Sequence, residues 1–196
     1  MVMLHKISVL IIFHNEARTL NETLQDIFAM DYPHDLLEVV CVDDGSTDHS
    51  AAIAQRYPVK LIRQKHSWLS ASYNKGLGYC TGDYILKLDA HMYIKNSNTL
   101  RLINKLFSKD KHIAGVCGTY TSLHEADRNF IRDIRRQSVF RKSNKQLTIT
   151  LNNFTTWSSA IGAYRKEVFE RVRFPEEFTN SYGEDVWVQI QLHHQG

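Results

Sequence analysis

Residues Ile7–Phe13 read ISVLIIF, an unbroken apolar run in which Ser8 is the one polar residue. A strand wetted on one face alternates polar and apolar side chains. A continuous β-branched run instead predicts a strand covered on both faces, as in a parallel sheet packed between helices. His14-Asn15-Glu16 follows at once, with no small-residue cleavage site, so the run reads as a first strand rather than a signal peptide.

The same alternation continues along the chain. Leu20, Leu24, Ile27 and Phe28 fall at helical spacing, with Asn15 and Thr19 available to cap that helix and Pro33 unable to extend it. Strands are predicted at 37–42, 59–63, 84–88 and 113–120, and helices at 51–56, 70–79, 100–107, 166–172 and 186–194. Strands alternating with helices give an α/β domain with a mainly parallel, doubly wound sheet. Three polar clusters directly follow strands: His14-Asn15-Glu16, Asp43-Asp44 and Asp89-Ala90-His91. The carboxyl ends of strands form the ligand crevice of such sheets, so the three clusters are expected in one site.

Composition narrows the class. The 196 residues suit one domain, and 9 Gly with 3 Pro exclude collagen-like and linker-dominated chains. No apolar run approaches the roughly 20 residues of a membrane-spanning helix. A net charge of +3 is too small to argue for nucleic acid. The three cysteines, Cys41, Cys80 and Cys117, show no CxxC pairing, which points away from a disulfide framework or zinc site and towards a reducing compartment. Cys41 reads as a small buried hydrophobe. The polar stretch 121–150 carries seven basic residues (Arg128, Arg132, Arg135, Arg136, Arg141, Lys142, Lys145) against three acids (Glu125, Asp127, Asp133). It reads either as a solvated region or as a face for an anionic membrane surface, giving peripheral association.

Asp89-Ala90-His91 offers a carboxylate and an imidazole one residue apart at a strand end. Such a pair suits a divalent cation that accepts oxygen and nitrogen, and His91 favours Mn²⁺ over Mg²⁺. The plainer alternative is a turn-capping Asp89 beside a surface histidine. In Asp43-Asp44-Gly45-Ser46-Thr47-Asp48, one carboxylate can face a base or ribose edge, while Ser46 or Asp48 caps the next helix. Gly183-Glu184-Asp185 places two acids at a helix start, either as compensation of the helix dipole or as a general base. Trp157 is either an aromatic face for an acceptor sugar or a core anchor. His193 and His194 at a helix end fit the dipole there.

Taken together, ISVLIIFHNEARTL, VVCVDDGSTDHS, WLSASYNKGLGYCTGDYILKLDAHMYI and SYGEDVWVQIQL resemble, in order and spacing, the family 2 glycosyltransferases of the GT-A fold. The resemblance spans roughly residues 6 to 195. It implies a single Rossmann-like GT-A domain, with a nucleotide-binding half at 1–98 and an acceptor-side half at 99–196. The chain stops at Gly196, where more sheet-covering structure is expected, so it reads as truncated.

The implied activity is metal-dependent sugar transfer from a nucleotide-diphospho-sugar, UDP-linked, to a hydroxyl of a glycan or lipid-linked acceptor. The implied setting is the cytoplasm, at the inner face of the membrane. His14, Asn15 and Glu16 would lie beside the nucleotide, Asp44 would bond the base, and Asn74 would belong to the same subsite. Asp89 and His91 would serve ribose and metal. Asp185 would be the base of an inverting mechanism, with Glu184 placing the acceptor. Two departures stand out: Tyr73 replaces the arginine usual before the Asn-x-Gly element, and the metal triplet is DxH rather than DxD. The DxH form also occurs in retaining, protein-modifying relatives, so that mechanism and a non-catalytic nucleotide-binding module stay as alternatives.

Overall fold

The computed structural model describes residues 3–94, 96–117, 139–141, 161–177 and 188. Trp157, Glu184, Asp185, His193 and His194 lie outside them, as does most of the basic stretch. Among the described residues seven strands form one sheet: β1 (Ile7–Phe13), β2 (Leu37–Asp44), β3 (Lys60–Gln64), β4 (Tyr84–Asp89), β5 (Ile113–Cys117), β6 (Val139–Arg141) and β7 (Ile161–Arg165). The helices are α1 (Leu20–Phe28), α2 (Ser50–Ala54), α3 (Leu69–Leu77), α4 (Thr99–Lys109) and α5 (Val168–Arg171).

The spatial order is β3-β2-β1-β4-β7-β5-β6. The first four of these pair in parallel, while β7 is antiparallel to both β4 and β5, and β6 is antiparallel to β5. Five strands therefore run one way and two run back, which makes the sheet mainly parallel in direction. The α/β prediction holds; the reversed strand inserted beside β4 is the feature that local patterning did not reveal.

The β1 run is buried at every position because each face has its own cover. Ile7, Val9, Ile11 and Phe13 pack with Leu20, Leu24 and Ile27 of α1 and with Leu100, Ile103 and Phe107 of α4. Leu10 and Ile12 face the opposite layer, with Tyr73 and Leu77 of α3 and Phe169 of α5. Gly76 lets α3 settle onto the sheet: a Cβ there would stand 2.5 Å from Leu10 Cδ1 and 3.0 Å from Val42 Cγ2. Cys41 is fully buried as expected, and burial pushes its thiol up to about 12, so it is unreactive.

Two capping expectations change. Thr19 occupies the N-cap position of α1 without a side-chain cap bond; its hydroxyl donates instead to Glu16 Oε2 (2.8 Å). Before α2, Asp48 Oδ1 accepts from the Ser50 amide (2.9 Å), whereas Ser46 Oγ accepts from the Asn15 amide (2.9 Å). Among the described residues no helix is long and apolar enough to cross a membrane.

Candidate functional site

Successive parallel strands β1, β2 and β3 step in one direction, and the chain then returns to place β4 on the other side of β1. The sheet thus has a topological switch point between β1 and β4, where crevices open at the carboxyl ends of strands. Register aligns the ends, with Ile12 opposite Asp89 and Phe13 opposite Asp43. The three polar clusters do meet along this edge, as expected.

Glu16 and His91 span the switch point. Their Oε1 and Nδ1 lie 3.3 Å apart. The His91 bond is the main force holding the Glu16 carboxyl below its ordinary value, and burial only partly opposes it. The same bond raises His91, again against burial. Their side chains are 29% and 48% exposed and that of Asp89 is 26% exposed, so all three are reachable by a ligand. Among the described residues no cluster of three or more His, Cys, Asp or Glu forms a ready-made metal cage. Asp89 and His91 supply two donors on one strand end, which fits a cation that completes its shell with water and phosphate oxygens.

Behind Asp89 stand two side chains that the sequence reading did not assign to it. The Tyr73 hydroxyl donates to Asp89 Oδ1 (3.1 Å), and Lys87 Nζ lies 4.0 Å from the same oxygen. Lys87 is 2% exposed, and its ammonium sits 4.6 Å from the centre of the Tyr73 ring. A signal for Lys87 was present: a charge flanked by apolar residues in YILKL is costly to bury unless it meets a partner.

The DDGS turn is more inward than its sequence suggested. Asp43 is buried, with Oδ1 accepting from the Ser46 amide (2.8 Å) and Oδ2 from Arg63 Nε (3.2 Å). Asp44 is also buried. Its Oδ1 accepts from Gln64 Nε2 (2.8 Å) and the Ser67 amide (2.9 Å), and its Oδ2 pairs with His66 Nδ1 (2.8 Å). Burial raises the Asp44 carboxyl, but the donors on Gln64, Ser67 and Ser72 outweigh it and leave it below the ordinary range. Asp44 thus organises the β3–α3 loop. Both acids hold the turn and its neighbouring loop in place here, and the base contact expected of Asp44 rests on the resemblance alone.

Gly45 makes this closeness possible. Its φ is +79°, and a Cβ there would lie 2.7 Å from the His66 backbone nitrogen. His14 Nδ1 donates to the Asp44 carbonyl (2.8 Å), which leaves Nε2 to accept from Asn15 Nδ2 (3.1 Å). The rings of His14, His66 and Trp68 form a tilted row with 4.7 Å between neighbouring centroids, and Trp68 is exposed.

Asn15 and Asn74 act as latches in this structure. Asn15, at φ 57°, accepts through Oδ1 from the Thr47 and Asp48 amides (2.8 and 3.2 Å). Asn74 Nδ2 donates to Phe174 O (2.9 Å) and Glu176 Oε1 (2.8 Å), and its Oδ1 accepts from the Phe174 amide (3.0 Å). The nucleotide roles expected of both therefore rest on the resemblance alone.

Residues 8–173 match the family model described as glycosyl transferase family 2. Among curated proteins, the chain is 28% identical over 201 residues to the glycosyltransferase GlyA of Streptococcus pneumoniae serotype 4, covering 96% of this chain and 28% of that protein. It is 32% identical over 121 residues to the cholesterol galactosyltransferase of Borreliella burgdorferi, covering 59% of this chain and 33% of that protein. The chain thus spans about a third or less of the length of these two relatives.

Among solved structures, the Pyrobaculum calidifontis mannosyltransferase PcManGT, in complex with GDP-Man and Mn²⁺, superposes with a TM-score of 0.68 at 21% identity, over 89% of this chain and 49% of that one. Staphylococcus aureus TarS 1-349, in complex with UDP-GlcNAc, gives a TM-score of 0.72 at 22% identity, over 96% and 53% of the two chains. At these identities the likeness establishes the GT-A fold.

Proposed function

The chain belongs to glycosyl transferase family 2, and on that footing we propose that it transfers a sugar from a UDP-sugar to a hydroxyl of a glycan or lipid-linked acceptor. The observation that carries the reading is the Glu16, Asp89 and His91 constellation across the β1–β4 switch point. Neighbours of the same fold, crystallised with UDP-GlcNAc or with GDP-Man and Mn²⁺, support a nucleotide-sugar donor.

In this reading Asp89 and His91 hold a divalent cation, Mn²⁺ in preference to Mg²⁺ because one donor is an imidazole. The cation supplies charge neutralisation for the diphosphate leaving group. Glu16 orients the His91 ring through the 3.3 Å contact. Asp185 is the base that takes the acceptor proton as the new glycosidic bond forms with inversion. Glu184 places the acceptor and Trp157 offers it an aromatic face. The basic excess of 121–150 supports peripheral association with the inner face of the membrane, on the cytoplasmic side.

The test is a donor-hydrolysis screen across UDP- and GDP-sugars with and without Mn²⁺, followed by anomeric NMR of any transfer product. Metal-stimulated turnover of a UDP-sugar with an inverted product is the expected result. Nucleotide binding without turnover would mark a non-catalytic module instead.

A further inference from the structure

The Asp89 carboxylate is gripped from inside the protein. Tyr73 belongs to α3 and is fully buried, its ring stacked on Phe174 with 5.0 Å between centroids. Its hydroxyl crosses to β4 and donates to Asp89 Oδ1 at 3.1 Å. Lys87 lies two residues before Asp89 on the same strand, so both side chains leave the same face of the sheet. Its buried ammonium stands against the Tyr73 ring and 4.0 Å from Asp89 Oδ1. A lysine is almost never buried to this degree without a dedicated partner. Here it meets both a carboxylate oxygen and the negative face of an aromatic ring.

We propose that Tyr73 is a positioning residue for Asp89, with Lys87 holding the pair in place, and that this support sets how strongly a divalent cation promotes nucleotide binding. The inference rests on Asp89 being a metal ligand, as in the function proposed above. A carboxylate bound to a cation through one oxygen gains most when its rotation is already fixed. A donor on Oδ1 fixes that rotation before the cation arrives. Partners of this kind, standing behind a ligand, typically alter metal affinity by about 10- to 100-fold when removed. Tyr73 touches Asp89 from α3, so the position of that helix is part of the site's construction.

The variant that isolates the effect is Tyr73→Phe. It removes one oxygen and leaves the ring, its stack on Phe174 and the face presented to Lys87. UDP binding is measured by calorimetry across a Mn²⁺ titration, and UDP binding without metal and thermal unfolding are measured alongside. The expected result is that the Mn²⁺ concentration for half-maximal enhancement of UDP binding rises about tenfold, with metal-free UDP affinity unchanged. In an Asp89→Asn background, Tyr73→Phe should add nothing.

An unchanged Mn²⁺ midpoint in Tyr73→Phe, in a protein whose Mn²⁺ effect is lost in Asp89→Asn, overturns the positioning role and leaves the metal reading standing. A tenfold loss that persists in the Asp89→Asn background also overturns it, because Tyr73 would then act through another group. If the parent shows no Mn²⁺ enhancement at all, the metal reading and this proposal fall together. Should Tyr73→Phe unfold, Lys87→Met, which keeps the buried aliphatic stem and removes the ammonium, is expected to raise the Mn²⁺ midpoint in the same direction. A folded Lys87→Met with the parent midpoint overturns the proposal.

Discussion

Replacing Asp44 by alanine removes the acceptor around which the β3–α3 loop closes. Among the donors that lose it are Gln64 Nε2 at 2.8 Å, the Ser67 amide at 2.9 Å, the Ser67 hydroxyl at 3.2 Å and His66 Nδ1 at 2.8 Å. They do not suffer equally. Gln64 keeps Ser72 Oγ at 2.7 Å, and His66, whose side chain is 43% exposed, turns to water. The Ser67 amide is left behind in a half-buried loop, at a cost of about 1–3 kcal/mol, and the lost bonds to a charged acceptor add about 1.5–3 kcal/mol. A loss of about 4 kcal/mol corresponds to a fall in Tm of roughly 10 °C for a chain of this size. Asp44→Asn keeps an oxygen for Gln64 and Ser67 and should lose about a third of that. Differential scanning calorimetry of parent, Asp44→Asn and Asp44→Ala reads the series. A Tm for Asp44→Ala within about 2 °C of the parent would refute the reasoning, because it would mean the carboxylate does not hold the loop.

Three further outcomes are expected. Asp185→Asn should leave UDP and Mn²⁺ affinity nearly intact while sugar transfer falls by a factor on the order of 10² to 10⁴; transfer at the parent rate would place the base elsewhere. Burial raises the Glu38 carboxyl, but donors on Ser8 and Thr81 more than offset this, so its folded value lies below the ordinary 4.5. The stability it contributes is present above that ordinary value and lost as pH falls through the depressed one. Urea titrations from pH 6 down to 3 should therefore show a flatter acid limb for Glu38→Gln than for the parent, and parallel limbs would exclude the effect. Vesicles rich in anionic lipid should co-sediment the protein at low salt and release it at high salt, because 121–150 carries the basic excess; no binding at low salt removes the membrane reading.

What the sequence made legible follows from how local each cause is. β1 was readable to the residue because burial on both faces writes itself as an uninterrupted apolar run. The meeting of Glu16, Asp89 and His91 was readable because a parallel sheet brings its strand ends together whatever the intervening lengths. Asp44 was harder. Its partners Gln64, His66 and Ser67 belong to the next strand and loop, and no spacing rule links an acid to donors 20 or more positions away. Asn74 shows the same limit more sharply, since its three bonds reach Phe174 and Glu176. Thr19 looked like a helix cap, the commonest use of threonine at that position, yet the nearby Glu16 carboxylate took its hydroxyl. The Tyr73 departure was visible in the sequence, but its meaning needed the register that lays α3 against the end of β4.

The reversed strand β7 carries a consequence for the order in which this molecule can be put together. β5 joins the sheet through β7, and Arg165 Nε donates to the Ile113 carbonyl (2.8 Å), but β7 leaves the ribosome long after β5 does. Until β7 is made, the nascent chain holds a four-stranded parallel unit, β3-β2-β1-β4, whose β4 margin exposes a row of unsatisfied amides and carbonyls. The late strand closes that margin and in the same stroke recruits β5 and β6. Synthesis therefore has a vulnerable interval between two fixed points in the chain, and slow translation through it would lengthen the time in which a neighbouring nascent chain can pair with β4 in place of β7.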